Sequence, residues 1–313
     1  SQRVEAGHLE ADLTRHRIGY DHRVGPILEC FDDADIDVRI LKGVAIGRLD
    51  YPDEQLRPTS DLDLLVHAEQ VDHAVQVLES LGGVRTDPDP TPGWTRRVGK
   101  GATVALEEWN LEVDLHRILV WGPLGVRVAG EVLWDRTRPF DYLGTERSTL
   151  ALEETLLHVC AHLLILGVTR AREARDVAQL MVNPALDIER LLHVAQRWGH
   201  ESVLAVGVAT AVRELALTEP ALPLVRWAQG HQVPRLDKVW LRAAQPEPRL
   251  HGLEQLGVLH ELRHSDDPWG DRRILLRANL APAPGTYPTP LRRLRSLAGR
   301  PLDRFRRRPF GPT

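Results

Sequence analysis

The stretch LKGVAIGRLDYPDEQLRPTSDLDLLV, Leu41 to Val66, decides how this chain is read. Its last six residues, DLDLLV, have the apolar content of a strand, yet Asp61 and Asp63 interrupt it, and aspartate is depleted in strands. On a strand residues i and i+2 face the same way, so two carboxylates would stand side by side. Two anions that close repel unless a cation offsets them. A local rule broken in this manner marks a candidate functional site. Hard divalent ions such as Mg²⁺ or Mn²⁺ take oxygen ligands of this kind and keep positions open for water and phosphate.

Upstream, DVRILKG alternates into a short strand ending at Gly43, and VAIGRLDY begins a helix or turn directly after it. A strand leading into a helix there offers free backbone N–H groups and the positive end of a helix dipole, a seat for phosphate. Lys42 and Arg57 add charge, Arg57 with two-pronged geometry, and Ser60 joins the expected nucleotide-binding set. Downstream, AEQVDHAVQVLESLGG is an amphipathic helix closed by Gly82 and Gly83. GATVALEEW and LEVDLHRILV follow, separated by Asn110 alone, which predicts an antiparallel pair or one long bent strand. LEVDLH puts Glu112 and Asp114 on one face of a strand that could lie beside DLDLLV. Three carboxylates on neighbouring strands make a two-metal site, in which one ion activates the attacking oxygen and the other holds a triphosphate. His116 shares the face of Asp114 and could touch nucleotide or acceptor.

From about Val126 the periodicity becomes helical, with apolar residues three to four apart in TLALEETLLHVCAHLLILG, AREARDVAQLMV, IERLLHVAQRWG and ESVLAVGVATAVRELAL. The expected organisation is a catalytic domain with amino-terminal helices over 1–125, a helical domain over 126–280, and a Pro-rich linker with an Arg-rich tail over 281–313. His158 and His162 share a helix face and read as interface packing, because a zinc site lacks further ligands. Packing is likewise the expectation for the tryptophans.

Composition sets limits on function. Of 313 residues 42% are hydrophobic and 27% charged, as in an ordinary globular protein. The net charge is −4, but residues 291–313 hold eight arginines against the single Asp303, leaving the remainder at −11. An acidic body argues against extended nucleic acid as partner. Only three of the 40 basic residues are lysines: Lys42, Lys100 and Lys238. Two cysteines form no disulfide framework, and no apolar run reaches the length of a membrane span, so the expected location is cytoplasmic.

The order of elements (strand, glycine, helix, D-x-D on a strand, then a third carboxylate) resembles the nucleotidyltransferase superfamily related to DNA polymerase beta. Within it the likeness is to the uncharacterised nucleotidyltransferase family, carried by LKGVAIGRLDYPDEQLRPTSDLDLLV, LEVDLHRIL and LLHVCAHLLILGVTRAREARDVAQLM over roughly residues 25 to 280. The resemblance implies an α+β fold: a polymerase-beta-like domain with a small mixed sheet and helices, followed by a helical carboxy-terminal domain. It implies that Asp61 and Asp63 bind metal, that Asp114 supplies the third carboxylate, that Gly43 sits against the nucleotide phosphates, and that Asp176 lies near the cleft. Lys42-Gly43-Val44 departs from the superfamily's Gly-Ser or Gly-Gly in offering no hydroxyl after the glycine. The implied activity is Mg²⁺- or Mn²⁺-dependent transfer of a nucleoside monophosphate from NTP, with ATP the expected donor, to a small molecule, peptide or protein. An NTP-dependent phosphotransferase on the same fold, or a non-catalytic binding module, are the alternatives.

Overall fold

The computed structural model describes residues 2–87, 89–128, 130–166, 171–217, 222–244, 251–264 and 267–280. The Pro-rich linker and the Arg-rich tail lie outside the described residues. The chain opens with α1 (Gln2–Asp33), whose Tyr20, Val24, Ile27, Leu28 and Phe31 recur at helical spacing and are buried. There follow β1 (Val38–Ile40), α2 (Gly43–Asp50), β2 (Asp61–Val66), α3 (Val71–Ser80), β3 (Val84–Arg85), α4 (Trp94–Arg97), β4 (Gly101–Leu106) and β5 (Leu111–His116). The strands form one sheet in the order β1-β2-β5-β4-β3. Its pairings are antiparallel except that β2 and β5 run parallel. Asn110, at φ 46, takes the left-handed conformation that turns β4 back into β5. The two extended segments therefore pair rather than run on as one strand.

Strand parity divides the sheet chemically. Leu62, Leu64 and Val66 of β2, with Val113 and Leu115 of β5, point to the face covered by α1 and α3 and share one core with them. Asp61, Asp63 and Leu65 point to the other face, and Leu65 joins a second core built with the helices that follow. The carboxylates thus lie on the side of the sheet that meets the carboxy-terminal half.

That half begins with α5 (Pro123–Val126) and a hairpin of β6 (Thr137–Tyr142) and β7 (Thr145–Leu150). The helices α6 (Leu152–Leu166), α7 (Ala171–Met181), α8 (Ile188–Trp198), α9 (Glu201–Glu214), α10 (Pro223–Gly230), α11 (Arg235–Ala244), α12 (His251–Glu261) and α13 (Pro268–Leu280) follow. The hairpin corrects the expectation of an all-helical region from residue 126. Phe140 and Tyr142 pack into the core shared with α1 and the sheet. Its turn is made by Leu143 at φ 58 and Gly144 at φ 78, and leucine at a left-handed position gives no sequence signal for a hairpin. Trp94 and Trp121 pack as expected, 5.3 Å apart between ring centroids, and Arg39 sits over Trp134 at 4.5 Å, whereas Trp269 is 72% exposed. Among the described residues no helix is long and apolar enough to cross a membrane.

Candidate active site

Parallel pairing of β2 with β5 sets Asp63 directly beside Asp114, and Asp61 beside Glu112. Asp61, Asp63, Asp114 and His116 consequently share one face of two neighbouring strands. The ligand atoms of Asp63, Asp114 and His116 all lie within 4.8 Å of one another. Two carboxylates and an imidazole at that spacing fit a divalent cation. The Asp61 carboxylate lies outside this group. Its charge acts on Tyr20, whose hydroxyl donates to the Asp61 carbonyl at 2.8 Å. Burial first, and then the charges of Asp61 and Asp63, push the Tyr20 hydroxyl well above its usual pKa.

The paired carboxylates are neutralised by protein cations. Lys42 Nζ lies 2.7 Å from Asp63 Oδ1, with both side chains under a tenth exposed. Lys100 Nζ bonds Asp114 Oδ2, and Thr103 Oγ1 donates to Asp114 Oδ1 at 3.3 Å. His116 Nε2 reaches Asp63 Oδ1 at 2.9 Å and Asp114 Oδ2 at 3.2 Å, while its Nδ1 faces the Leu119 carbonyl at 3.2 Å. Each ring nitrogen therefore lies within hydrogen-bond distance of an oxygen. His116 is 1% exposed. It braces the carboxylates from below and is not free to meet a nucleotide or acceptor. Burial alone would push the Asp63 carboxyl up, but Lys42 and His116 hold it well below the ordinary carboxylate range. The same contest ends the same way at Asp114, through His116 and Lys100.

Above these residues lies α6. His162 Nε2 is 3.3 Å from Lys42 Nζ, and the His158 ring meets both His116 and His162 edge-on at centroid distances of 6.1 and 6.3 Å. His158 Nε2 is buried without a hydrogen-bond partner. Burial, then the Lys42 charge, depress the pKa of both histidines, so both stay neutral beside the ammonium. The expectation of interface packing describes them, with the addition that their interface is the carboxylate face itself.

The residues expected on the phosphates divide. Gly43 opens α2 with Lys42 as its cap residue. A Cβ at Gly43 would collide with Thr59 Oγ1 and lie 2.9 Å from Thr59 Cβ. The glycine is thus required by the backbone's approach to Thr59. Gly43→Ala is expected to cost about 1–3 kcal/mol of stability by overpacking, and Thr59→Gly in the same chain should recover most of it in thermal unfolding. Ser60 is exposed just ahead of Asp61. Arg57 is drawn elsewhere: its Nε donates to both carboxylate oxygens of Asp176, at 2.7 and 3.0 Å, and Tyr51 donates to Asp176 Oδ1 at 2.8 Å. That places Asp176 beside the loop leading to Asp61, and it corrects the assignment of Arg57 to phosphate. From α1, Arg17 and His16 hold the same loop through Glu54 and the Thr59 carbonyl. A cavity of about 40 Å³ remains between α1, α2 and that loop, lined by Tyr20, Gly43, Arg48 and Thr59 among others.

Sequence reasoning missed Lys100 and Thr103 as partners of Asp114 and Lys42 as the direct partner of Asp63. The scarcity of lysine was the available signal, since two of the chain's three lysines converge here.

No curated protein matches the chain. Among solved structures, the antibiotic-resistance factor ANT(2″)-Ia in solution is similar at 14% identity and a TM-score of 0.39, covering 63% of this chain and 94% of that one. ANT(2″)-Ia in complex with adenylyl-2″-tobramycin gives 12% and 0.40, over 57% and 97%. An antigenic nucleotidyltransferase-like protein from Paracoccidioides brasiliensis gives 14% and 0.32, over 61% and 92%. The profile described as uncharacterised nucleotidyltransferase matches residues 11–215, the span that runs from α1 through the carboxylate strands to α9. With its D-x-D strand, its parallel neighbour and the helices α6 to α9 all inside that span, the chain belongs to the uncharacterised nucleotidyltransferase family and is a transferase.

Proposed function

We propose that the protein transfers a nucleoside monophosphate from NTP, with ATP the expected donor, to a hydroxyl, amine or phosphate of an acceptor, releasing pyrophosphate. The observation that carries this reading is the register of Asp63 against Asp114, with Asp61 on the same face. Asp61, Asp63 and Asp114 are the residues to hold Mg²⁺ or Mn²⁺. That ion would offset the charge of the phosphate oxygens as the leaving group departs. Lys42, the Gly43 backbone and Ser60 receive the triphosphate. Asp114 stands ionised, so it accepts a hydrogen bond from the acceptor's hydroxyl or amine as that group attacks the α-phosphorus, and the proton released passes by way of Asp114 to solvent. The bond from the α-phosphorus to the bridging oxygen breaks, and pyrophosphate leaves. Such chemistry rests on positioning and electrostatics and needs no covalent nucleophile.

The test is thermal unfolding with each of the four NTPs, with and without Mg²⁺, beside Asp61→Asn/Asp63→Asn. A nucleotide at about 100 times its dissociation constant should add roughly 2.7 kcal/mol, dependent on metal and absent in the double variant. An unchanged response in the variant would remove these carboxylates from the site. Recovery of ADP rather than pyrophosphate as product would turn the reading to phosphotransfer.

A further inference from the structure

Helices α12 and α13 turn one face inward and leave the other uncovered. Inward, Val258 of α12 and Leu262 just past its end stand one turn apart, and with Leu275 of α13 and Val98 they close a small core. Outward, Trp269, Arg272, Arg273 and Leu276 recur at i, i+3, i+4 and i+7 and so share one stripe of α13. Leu256 and Leu259 of α12 line the same open depression of about 620 Å³. Trp269 is 72% exposed, Leu256 59% and Leu276 49%. Three large apolar side chains left in water on one patch mark an interaction surface.

The rim of the patch carries one sign of charge. Among the described residues no carboxylate lines the depression. The acids nearby are already engaged: Asp267 and Asp271 bond Arg97, and Glu261 bonds Arg127 and His260. Arg272 lies over the Trp269 ring at 5.7 Å and donates from Nε to the Leu259 carbonyl at 3.2 Å. Downstream, residues 291–313 add eight arginines, interleaved with Leu291, Leu294, Leu297 and Phe305. An occupant of this face must therefore be anionic and offer an apolar layer. Trp269 stands out of the depression rather than lining a slot, a shape that enters a lipid surface more readily than it receives a knob from a partner protein. We propose that this face docks the protein on an anionic phospholipid surface. Trp269, Leu256 and Leu276 enter the headgroup boundary, while Arg272, Arg273 and the arginines of 291–313 meet the phosphates. Apolar insertion joined to a basic cluster gives the two signals that stable attachment requires. Both helices lie outside the matched span of 11–215, so the proposal is independent of nucleotidyl transfer.

The test is flotation of the full chain with vesicles of phosphatidylcholine alone and of phosphatidylcholine with about a third phosphatidylglycerol. Binding to the second and not to the first is expected, weakened by about 0.5 M NaCl. Leu256→Ser/Trp269→Ser/Leu276→Ser should lower the vesicle affinity about tenfold or more, with the thermal midpoint unchanged because all three side chains are exposed. Vesicles with brominated acyl chains should quench the fluorescence of the wild-type protein more than that of Trp269→Phe. Equal binding to neutral vesicles, or affinity that the triple variant retains in full, overturns the proposal. Failure to float, with capture of poly-glutamate or of tRNA instead, overturns it in favour of that partner. A dimer in light scattering that the triple variant dissociates assigns the face to a second copy of the chain and overturns it as well. The quenching difference decides the matter even where the triple variant fails to fold.

Discussion

Asn in place of Asp63 is expected to lower turnover by about 10³-fold and to destabilise the fold by roughly 3–5 kcal/mol. Both effects come from one oxygen pair. Asp63 is 6% exposed and takes Lys42 at 2.7 Å and His116 at 2.9 Å on its Oδ1. A neutral amide leaves the Lys42 ammonium buried with only His162 for company, and removing one partner of a buried pair exposes the full cost of the other. It also removes one charge from the set proposed to hold the cation, where charge stabilisation is worth several kcal/mol in the transition state. The two effects separate in Lys42→Met/Asp63→Asn, which deletes both charges. That variant should recover most of the stability in urea denaturation while remaining inactive in pyrophosphate release. Turnover within tenfold of wild type in a folded double variant would dismiss Asp63 from the chemistry.

The second large effect lies away from the carboxylates. Asp176→Ala is expected to cost about 3–5 kcal/mol, because Asp176 is 2% exposed and Arg57 only 7%. Arg57 Nε loses both its acceptors, and Tyr51 loses its own. The consequence is more than a lost contact. Arg57 sits in the loop between α2 and β2, whereas Asp176 is on α7, so the pair ties the segment leading into Asp61 to the helical half. Replacing both, as Arg57→Met/Asp176→Leu, should be far milder than either single change, since apolar side chains of similar volume often substitute for a buried pair at little cost. Tyr51→Phe should cost about 1 kcal/mol, one hydrogen bond. Chemical denaturation of the three variants gives the comparison. A loss below 1 kcal/mol in Asp176→Ala would show that water or a neighbouring acceptor replaces the carboxylate.

How much of this was legible in the sequence differs between strand and partner. Alternation alone put Asp61 and Asp63 on one face, and Glu112 and Asp114 on one face of a second strand, because the side-chain period of a strand is two. The junction at Gly43 and the helix over 71–80 follow equally from local geometry, whereas at Asn110 the sequence left a return and one long bent strand both open. The hairpin over 137–150 did not follow, since Leu143 adopts a conformation that its side chain disfavours.

Partner choice belonged to the tertiary structure throughout. Nothing in the neighbourhood of Arg57 says that its guanidinium turns to a carboxylate 119 residues away rather than to a phosphate. Nor does the local pattern around Lys42 say that it meets Asp63 and His162, the latter 120 residues on. A periodic pattern fixes which way a side chain points. What it meets depends on which distant element closes over it, and here α6 and α7 close onto the carboxylate face through a core that includes Leu65. The sequence by itself determined the family, the α+β order and the face that carries the three carboxylates. Only the tertiary structure decided which cations stand against them, because the packing of α2, β4 and the helical half around the carboxylate face buries the charges and so requires each to be paired.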